Sequence, residues 1–248
     1  VVVDTGRATR HRHSVHGLIE VDVTEGRRRM ARTSAPSLTA WVVWCAARAA
    51  AAHPEVHVYR DLRGRLVTFD AVDVNVSVEV NLEGRSFPMN HVLRDADRRS
   101  AGELHSELQR VRRDPVGSPT SRLAARTRWF LLLPGIVRVG LLRMLHRLPE
   151  TQRRLAGTIG VTSVGMFGRG GGWGIAFQVH TLTIVVGGIA IRPGYSSDRV
   201  EPREMLHLTL SFDHDVVDGA PAARYAAELR ALLESAAGLD GDEEDPGL

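Results

Sequence analysis

At 248 residues, with 43% apolar and 25% charged residues, the chain suits one large globular domain or two small ones, with ample material for a core. All 32 basic residues are arginine, which excludes Schiff-base and lysine-nucleophile chemistry. The net charge of +3, in a chain rich in Ala, Gly, Val and Pro, reads as codon bias and not as a nucleic-acid signal. Cys45 stands alone, so neither an intrachain disulfide nor a cysteine metal cluster can form, and a reducing cytoplasm is the expected setting.

Residues 1–15 read as an irregular basic arm with no apolar stretch of signal-peptide length. His11, His13 and His16 have no acidic partner nearby in sequence, so the expectation is a solvated basic arm and no metal. His16 to Thr24 alternates as a strand does. Ser37 to Ala52 is a helix: Leu38, Trp41, Val42, Cys45 and Ala49 recur at three- and four-residue steps. Ser37 can cap it, and Pro54 ends it near His53. Trp41 and Trp44 are expected in the core or at a subunit contact. Leu66 to Val80 holds two strand patterns broken near Asp70, with valines at every second position from Val72 to Val80, and Asn81 to Gly84 reads as a turn. Ser100 and Glu103 form a capping box opening a helix to about Arg112.

Residues 114–156 have a different character. Ser118-Pro119 and a basic stretch lead into an apolar run, Trp129 to Leu145, that Pro134-Gly135 breaks and Arg138 and Arg143 interrupt. It falls short of the roughly 20 apolar residues that cross a bilayer. Two short amphipathic helices, packed on the domain or on a neighbouring subunit, are the first reading. Membrane-surface contact through residues 120–154, by way of the arginines, is the second. Gly157 to Gly168 reads as a strand and turn carrying the hydroxyls of Thr162 and Ser163. Arg169 to Gly174 fits neither a dinucleotide fingerprint nor a P-loop and reads as a flexible turn. Thr181 to Ile191 is a buried strand, Pro193 to Asp198 a hairpin loop, and residues 238–248 a disordered acidic tail.

Leu206, Leu208, Leu210 and Phe212 alternate along a last strand that runs into His214. Asp218 and Gly219 follow, and then a helix begins. An imidazole titrates near neutrality, so His214 is a candidate general base for a thiol or hydroxyl proton. The plainer reading makes His214 the cap of a strand and Asp218 the cap of a helix.

The surroundings weigh on that choice. Leu208-Thr-Leu-Ser-Phe-Asp-His-Asp-Val-Val-Asp-Gly-Ala220 resembles the C-terminal signature of the dihydrolipoamide acyltransferases of 2-oxo acid dehydrogenase complexes, L-S-x-D-H-R-x-x-D-G. Asp215 stands where the signature has arginine. Gly157-Thr-Ile-Gly-Val-Thr-Ser-Val-Gly-Met-Phe-Gly168 resembles the family's second signature, G-T-F-T-I-S-N-L-G-M-F-G. The run from Glu20 to Thr24, Arg94-Asp-Ala-Asp97 and Val185 to Ile189 resemble intervening family segments. The likeness spans about His16 to Ser235, leaving out 114–156.

The resemblance implies a chloramphenicol acetyltransferase-like α/β (α+β) fold, a two-layer sandwich with helices packed on a mixed sheet. The catalytic domain would cover 16–237, with a helical insertion at about 114–156. The implied activity is acyl transfer between coenzyme A and a lipoyl-type thiol. His214 would act as base, Thr162 as oxyanion donor and Asp218 as an ordering charge; Ser163 and Gly219 would sit beside the substrate. The family implies a homotrimer, or a multiple of trimers, with His214 of one subunit facing Thr162 of the next. No lipoyl domain is read in the chain, so either a separate lipoyl-bearing protein would supply that group in trans or coenzyme A would be used with a different acceptor. Nucleic acid and metal are not expected. Two other classes stay open: a small-molecule O- or N-acyltransferase of the chloramphenicol acetyltransferase kind, and a non-catalytic assembly subunit.

Overall fold

The valines at alternate positions from Val72 to Val80 all turn inward and are at most 2% exposed. They fix the register of strand β4 (Val74–Leu82), because a slip of one residue would put each of them in water. In the computed structural model the described residues are 2–10, 12–32, 36–82, 85–115, 128–164, 170–196 and 199–239.

The main sheet has six strands in the order β1-β8-β7-β6-β4-β5. These are β1 (Ser14–Asp22), β5 (Arg85–Leu93), β6 (Ile159–Ser163), β7 (Leu182–Ser196) and β8 (Arg199–Asp213), together with β4. The sheet is mixed: β6 runs parallel to both β4 and β7, and the other pairs are antiparallel. A short ribbon, β2 (Tyr59–Arg60) with β3 (Leu66–Val67), lies apart. The α/β class and the mixed sheet inferred from the resemblance are those observed.

Helix α3 (Leu38–Ala52) lies at the centre of the core, with Trp41, Cys45 and Ala49 fully buried. The Ser37 hydroxyl accepts the Ala40 N–H at its start. The Trp41 indole donates to the Ala237 carbonyl at 2.8 Å, and Trp44 donates to the Arg99 carbonyl at 3.0 Å. Both tryptophans therefore have a partner for their polar atom, which keeps the burial favourable. Burial also pushes the Cys45 thiol far up, so it stays protonated and packs as a small apolar group. Helix α4 (Ala101–Arg113) opens on the expected capping box of Ser100 and Glu103. Helix α2 (Thr24–Arg32) follows β1.

Several expectations need correction. The N-terminal segment is not irregular: Val2–Thr9 forms helix α1. Asp4, only 4% exposed, pairs there with Arg138 at 3.0 Å. Arg138 belongs to α5 (Gly135–Leu145), the one α-helix of the Trp129–Leu145 run, whose first part lies in a 3-10 turn (Arg128–Leu132); α6 (Pro149–Ala156) follows the run. Ser118-Pro119 falls outside the described residues. Helix α5 buries none of its own residues, so it leans on α1 without joining the main core. No helix among the described residues is long and apolar enough to cross a membrane. Pro193 is not in a loop; it pairs with Pro202 in a β7–β8 ladder that extends to Ser196 and Arg199. The core reaches past residue 237, since Gly238 packs on the Trp44 ring and Leu239 is 9% exposed. Residues 240–248, most of the expected acidic tail, lie outside the described residues.

Candidate active site

Strand β8 alternates until Phe212 and then stops, and the chain turns at His214 before helix α7 (Gly219–Glu234) begins. His214 is exposed on this turn. Its backbone N–H donates to the His13 carbonyl at 2.7 Å. The residues on either side are clamped. Asp213 pairs with Arg12 at 3.2 Å, and Asp215 with His13 at 2.8 Å. Arg60 also donates to the Asp215 carbonyl.

The electrostatics follow from these contacts. Burial pushes the Asp213 carboxyl up, against the pull of Arg12. The hydrogen bond from His13 holds Asp215 below the usual carboxylate range, and the same bond raises His13. Aspartate in the signature's arginine position is therefore accommodated: His13 of the arm and Arg60 of β2 face its charge.

Asp218 occupies the first cap position of α7, but its side chain makes no capping hydrogen bond. It has no ion pair among the described residues. Gly219 lies outside the left-handed region, and a side chain there would meet nothing within 4 Å. Neither its backbone conformation nor its neighbours in the chain call for glycine at 219.

Thr162 and Ser163 sit half-buried at the far end of β6. Thr162 pairs with Ser77 and Val185, and Val185 pairs with Thr209. His214 instead lies beyond the start of β7, where the Asp213 N–H donates to the Thr181 carbonyl. At about 3.3 Å per residue from Thr209 to His214, and about 4.8 Å for each of two strand spacings, Thr162 and His214 are roughly 19 Å apart within one chain. The register sets Thr162 level with Thr209, two strands over and about five residues short of His214, and does not bring the two candidate catalytic residues together.

The glycine-rich segment after β6 is docked, which corrects the expectation of a flexible turn. The Gly172 N–H donates to His207 Nδ1 at 2.6 Å, and Trp173 stacks on the same imidazole at 4.0 Å between centroids. His207 Nε2 lies 3.0 Å from Glu20. Gly170, Gly171 and Gly172 all have positive φ, and a Cβ at Gly171 would strike the His207 ring. On the facing strand a Cβ at Gly187 would strike the Gly172 carbonyl. The backbones approach too closely for a side chain on either. Met166, Phe167 and Gly168 of the second signature lie outside the described residues.

Of the residues that shape these two ends, sequence reasoning missed Arg12, His13 and Arg60 as clamps and His207 as the dock. Nothing in the spacing links His13 to Asp215. The paired glycines 171–172 and 187–188 did carry a signal, that of close backbone approach. Among the described residues no three of His, Cys, Asp and Glu gather as metal ligands. His16 Nδ1 is engaged with the Ser211 hydroxyl at 2.8 Å, and His11 is outside the described residues.

Residues 149–239 match the family model of the 2-oxoacid dehydrogenases acyltransferase catalytic domain. The chain is 26% identical over 188 residues to the dihydrolipoyllysine-residue acetyltransferase component of the pyruvate dehydrogenase complex of Zymomonas mobilis, covering 76% of this chain and 35% of that protein. With the corresponding component of Pseudomonas aeruginosa it shares 34% identity over 74 residues, 29% of this chain and 14% of that one. The chain thus spans about a third or less of the curated relatives it matches. Among solved structures, the cubic core of the pyruvate dehydrogenase multienzyme complex superposes with a TM-score of 0.68 at 18% identity, over 94% of this chain and 86% of the other. A chloramphenicol acetyltransferase does so at 0.53 and 14%, over 93% and 94%. These structural likenesses speak to fold alone. Over residues 149–239, which hold both Thr162 and His214, the chain is thus similar in sequence to the 2-oxoacid dehydrogenase acyltransferase catalytic domain, and over nearly its whole length it shares that fold.

Proposed function

We propose that the chain transfers an acyl group between coenzyme A and a lipoyl-type thiol, in a site built from two copies of the chain. The observation that carries this reading is the register of the sheet. It sets Thr162 and His214 two strand spacings and about five residues apart in one subunit, too far to act on one carbonyl, while neither is fully buried.

In this reading His214 of one subunit takes the proton from the attacking thiol. The sulfur adds to the thioester carbonyl, and the Thr162 hydroxyl of the neighbouring subunit donates to the oxygen that becomes negative. Collapse of the tetrahedral adduct breaks the carbon–sulfur bond to the departing thiol, and His214 returns the proton to that sulfur. A donor held at the oxyanion is worth about 2.7–4 kcal/mol in the transition state. Ser163 lines the substrate beside Thr162. Asp218 and Gly219 border the turn, and the charge partner of Asp218 comes from across the interface. The assembly is a homotrimer or a multiple of trimers, and the lipoyl group is presented by a lipoyl-bearing protein. The setting is cytoplasmic.

The test is a mixing experiment. His214→Ala and Thr162→Ala proteins should each be nearly inactive in thiol release from acetyl-CoA with dihydrolipoamide as acceptor. Co-refolded into mixed oligomers, some interfaces pair an intact His214 with an intact Thr162, and activity should recover to the fraction set by random assortment. Mixed oligomers that demonstrably form without any recovery would rule out the shared site.

A further inference from the structure

Residues 178–181 lead into β7 without joining a helix or strand, yet Gln178, His180 and Thr181 are all buried. Buried chain outside a ladder has to find partners for its backbone groups elsewhere. Here one side chain supplies most of them. The Gln178 amide nitrogen donates to the carbonyls of His180 at 2.6 Å, Ser211 at 3.1 Å and Thr181 at 3.2 Å. Its Oε1 is shut off from solvent without a partner among the described residues. An unpaired buried acceptor is costly. A methionine of similar length would avoid that cost, so the three carbonyls account for an amide at this position.

The same residues join the strand of Thr162 to the strand of His214. His180 Nε2 lies 2.7 Å from the Ala156 carbonyl, just before β6, so that nitrogen carries the proton. Burial pulls His180 down to about 4, so the ring stays neutral near pH 7. Gln152 Nε2 donates to the Val179 carbonyl at 3.2 Å. On the other side, the Thr181 carbonyl accepts both from Gln178 and from the Asp213 N–H, the latter at 2.9 Å. Asp213 ends β8 and immediately precedes His214. Gln178 therefore holds the end of β8 at two points, at Ser211 directly and at Asp213 through Thr181.

Resting on the transfer reading above, we infer that Gln178 is a positioning residue for the base. It sets the end of β8, and with it the point from which His214 meets the attacking thiol. At 5% exposure it does so without touching substrate.

Two variants of the full chain test this. Gln178→Met keeps the length of the side chain and loses all three donations. Gln178→Asn keeps the amide on a shorter stem. In acetyl-CoA-dependent acylation of dihydrolipoamide, Gln178→Met should lower kcat by at least about tenfold, toward the roughly 10²-fold that a misplacement of about 1 Å can cost. KM for both substrates should stay unchanged, and Gln178→Asn should lose less. The ring proton resonance of His214, assigned by its loss in His214→Ala, should move in Gln178→Met. An unmoved resonance, or wild-type kcat in folded Gln178→Met, would overturn the assignment. If Gln178→Met fails to fold by circular dichroism, Gln178→Asn is judged by the same two measurements, and collapse of both variants would make the amide structural and overturn its positioning role. Should His214→Ala keep its turnover, the transfer reading falls by itself. The resonance then decides alone whether Gln178 sets the His214 turn.

Discussion

The strand end that carries His214 and the strand end that carries Thr162 are held by different physics. At the His214 end, charge does the holding: Arg12 on Asp213, His13 on Asp215, Arg60 on a carbonyl. At the Thr162 end, the holding is steric: a run of glycines lets one backbone lie against another, and His207 with Trp173 pins it. An ionic clamp answers to pH and salt and tolerates small shifts. A close-packed backbone contact answers to volume and tolerates almost none. In the reading proposed above, the base thus sits on the adjustable end and the oxyanion donor on the rigid one. That suits their tasks, since a donor must already be in place when charge develops.

Substitutions at each end can break or sharpen that contrast. The largest effect is expected at His214 itself. His214→Ala should lower acyl transfer by about 10²–10⁴-fold, the usual worth of a general base, with the fold intact because the side chain is exposed. Near wild-type turnover in the folded variant would remove His214 from the chemistry.

Next in size is the clamp. Arg12→Ala leaves the Asp213 carboxylate, 5% exposed, without its cation, and should cost about 3–5 kcal/mol of stability. Asp213 has a raised folded value, so its contribution to stability is full below the ordinary carboxylate range and is lost as pH rises through that raised value. The variant's deficit in urea unfolding should therefore shrink on acidification, where Asp213 protonates. A deficit independent of pH would mean that packing, and not charge, holds this end.

At the other end, Gly187→Ala forces a methyl group onto the Gly172 carbonyl. It should cost about 1–3 kcal/mol, and the loss should not respond to salt. If the loss scaled with ionic strength, the contrast between the two ends would fail.

The smallest effect is a titration. The His13 ring, read by proton resonance, should titrate above its ordinary value, and Asp215→Asn should bring it back. The pair favours the folded state between the depressed value of Asp215 and the raised value of His13. It is lost above that window as His13 deprotonates, and below it as Asp215 protonates. A His13 midpoint unchanged by Asp215→Asn would show that the arm is held by its backbone contact to His214 alone.

Much of this molecule was written along the chain. The period of two in Val72 to Val80, the three- and four-residue steps in α3 and the Ser100–Glu103 capping box are local patterns. Their physical cause, side-chain direction relative to a backbone repeat, acts within a few residues. The two signatures around Thr162 and His214 could likewise be read from order and spacing. The helix in the N-terminal arm could not, because Asp4 is held by Arg138 from the far side of the chain. The clamps on either side of His214 depend on contacts between residues 12–13 and 213–215, which no local period encodes. The strand order β8-β7-β6 and its register were decisive, since together they hold Thr162 and His214 apart within one chain. Sequence chose the residue types and their local geometry. Which distant groups neutralise a buried charge, and which candidates share a site, was left to tertiary structure, because pairing across a sheet and burial of a carboxylate exist only once the chain has folded.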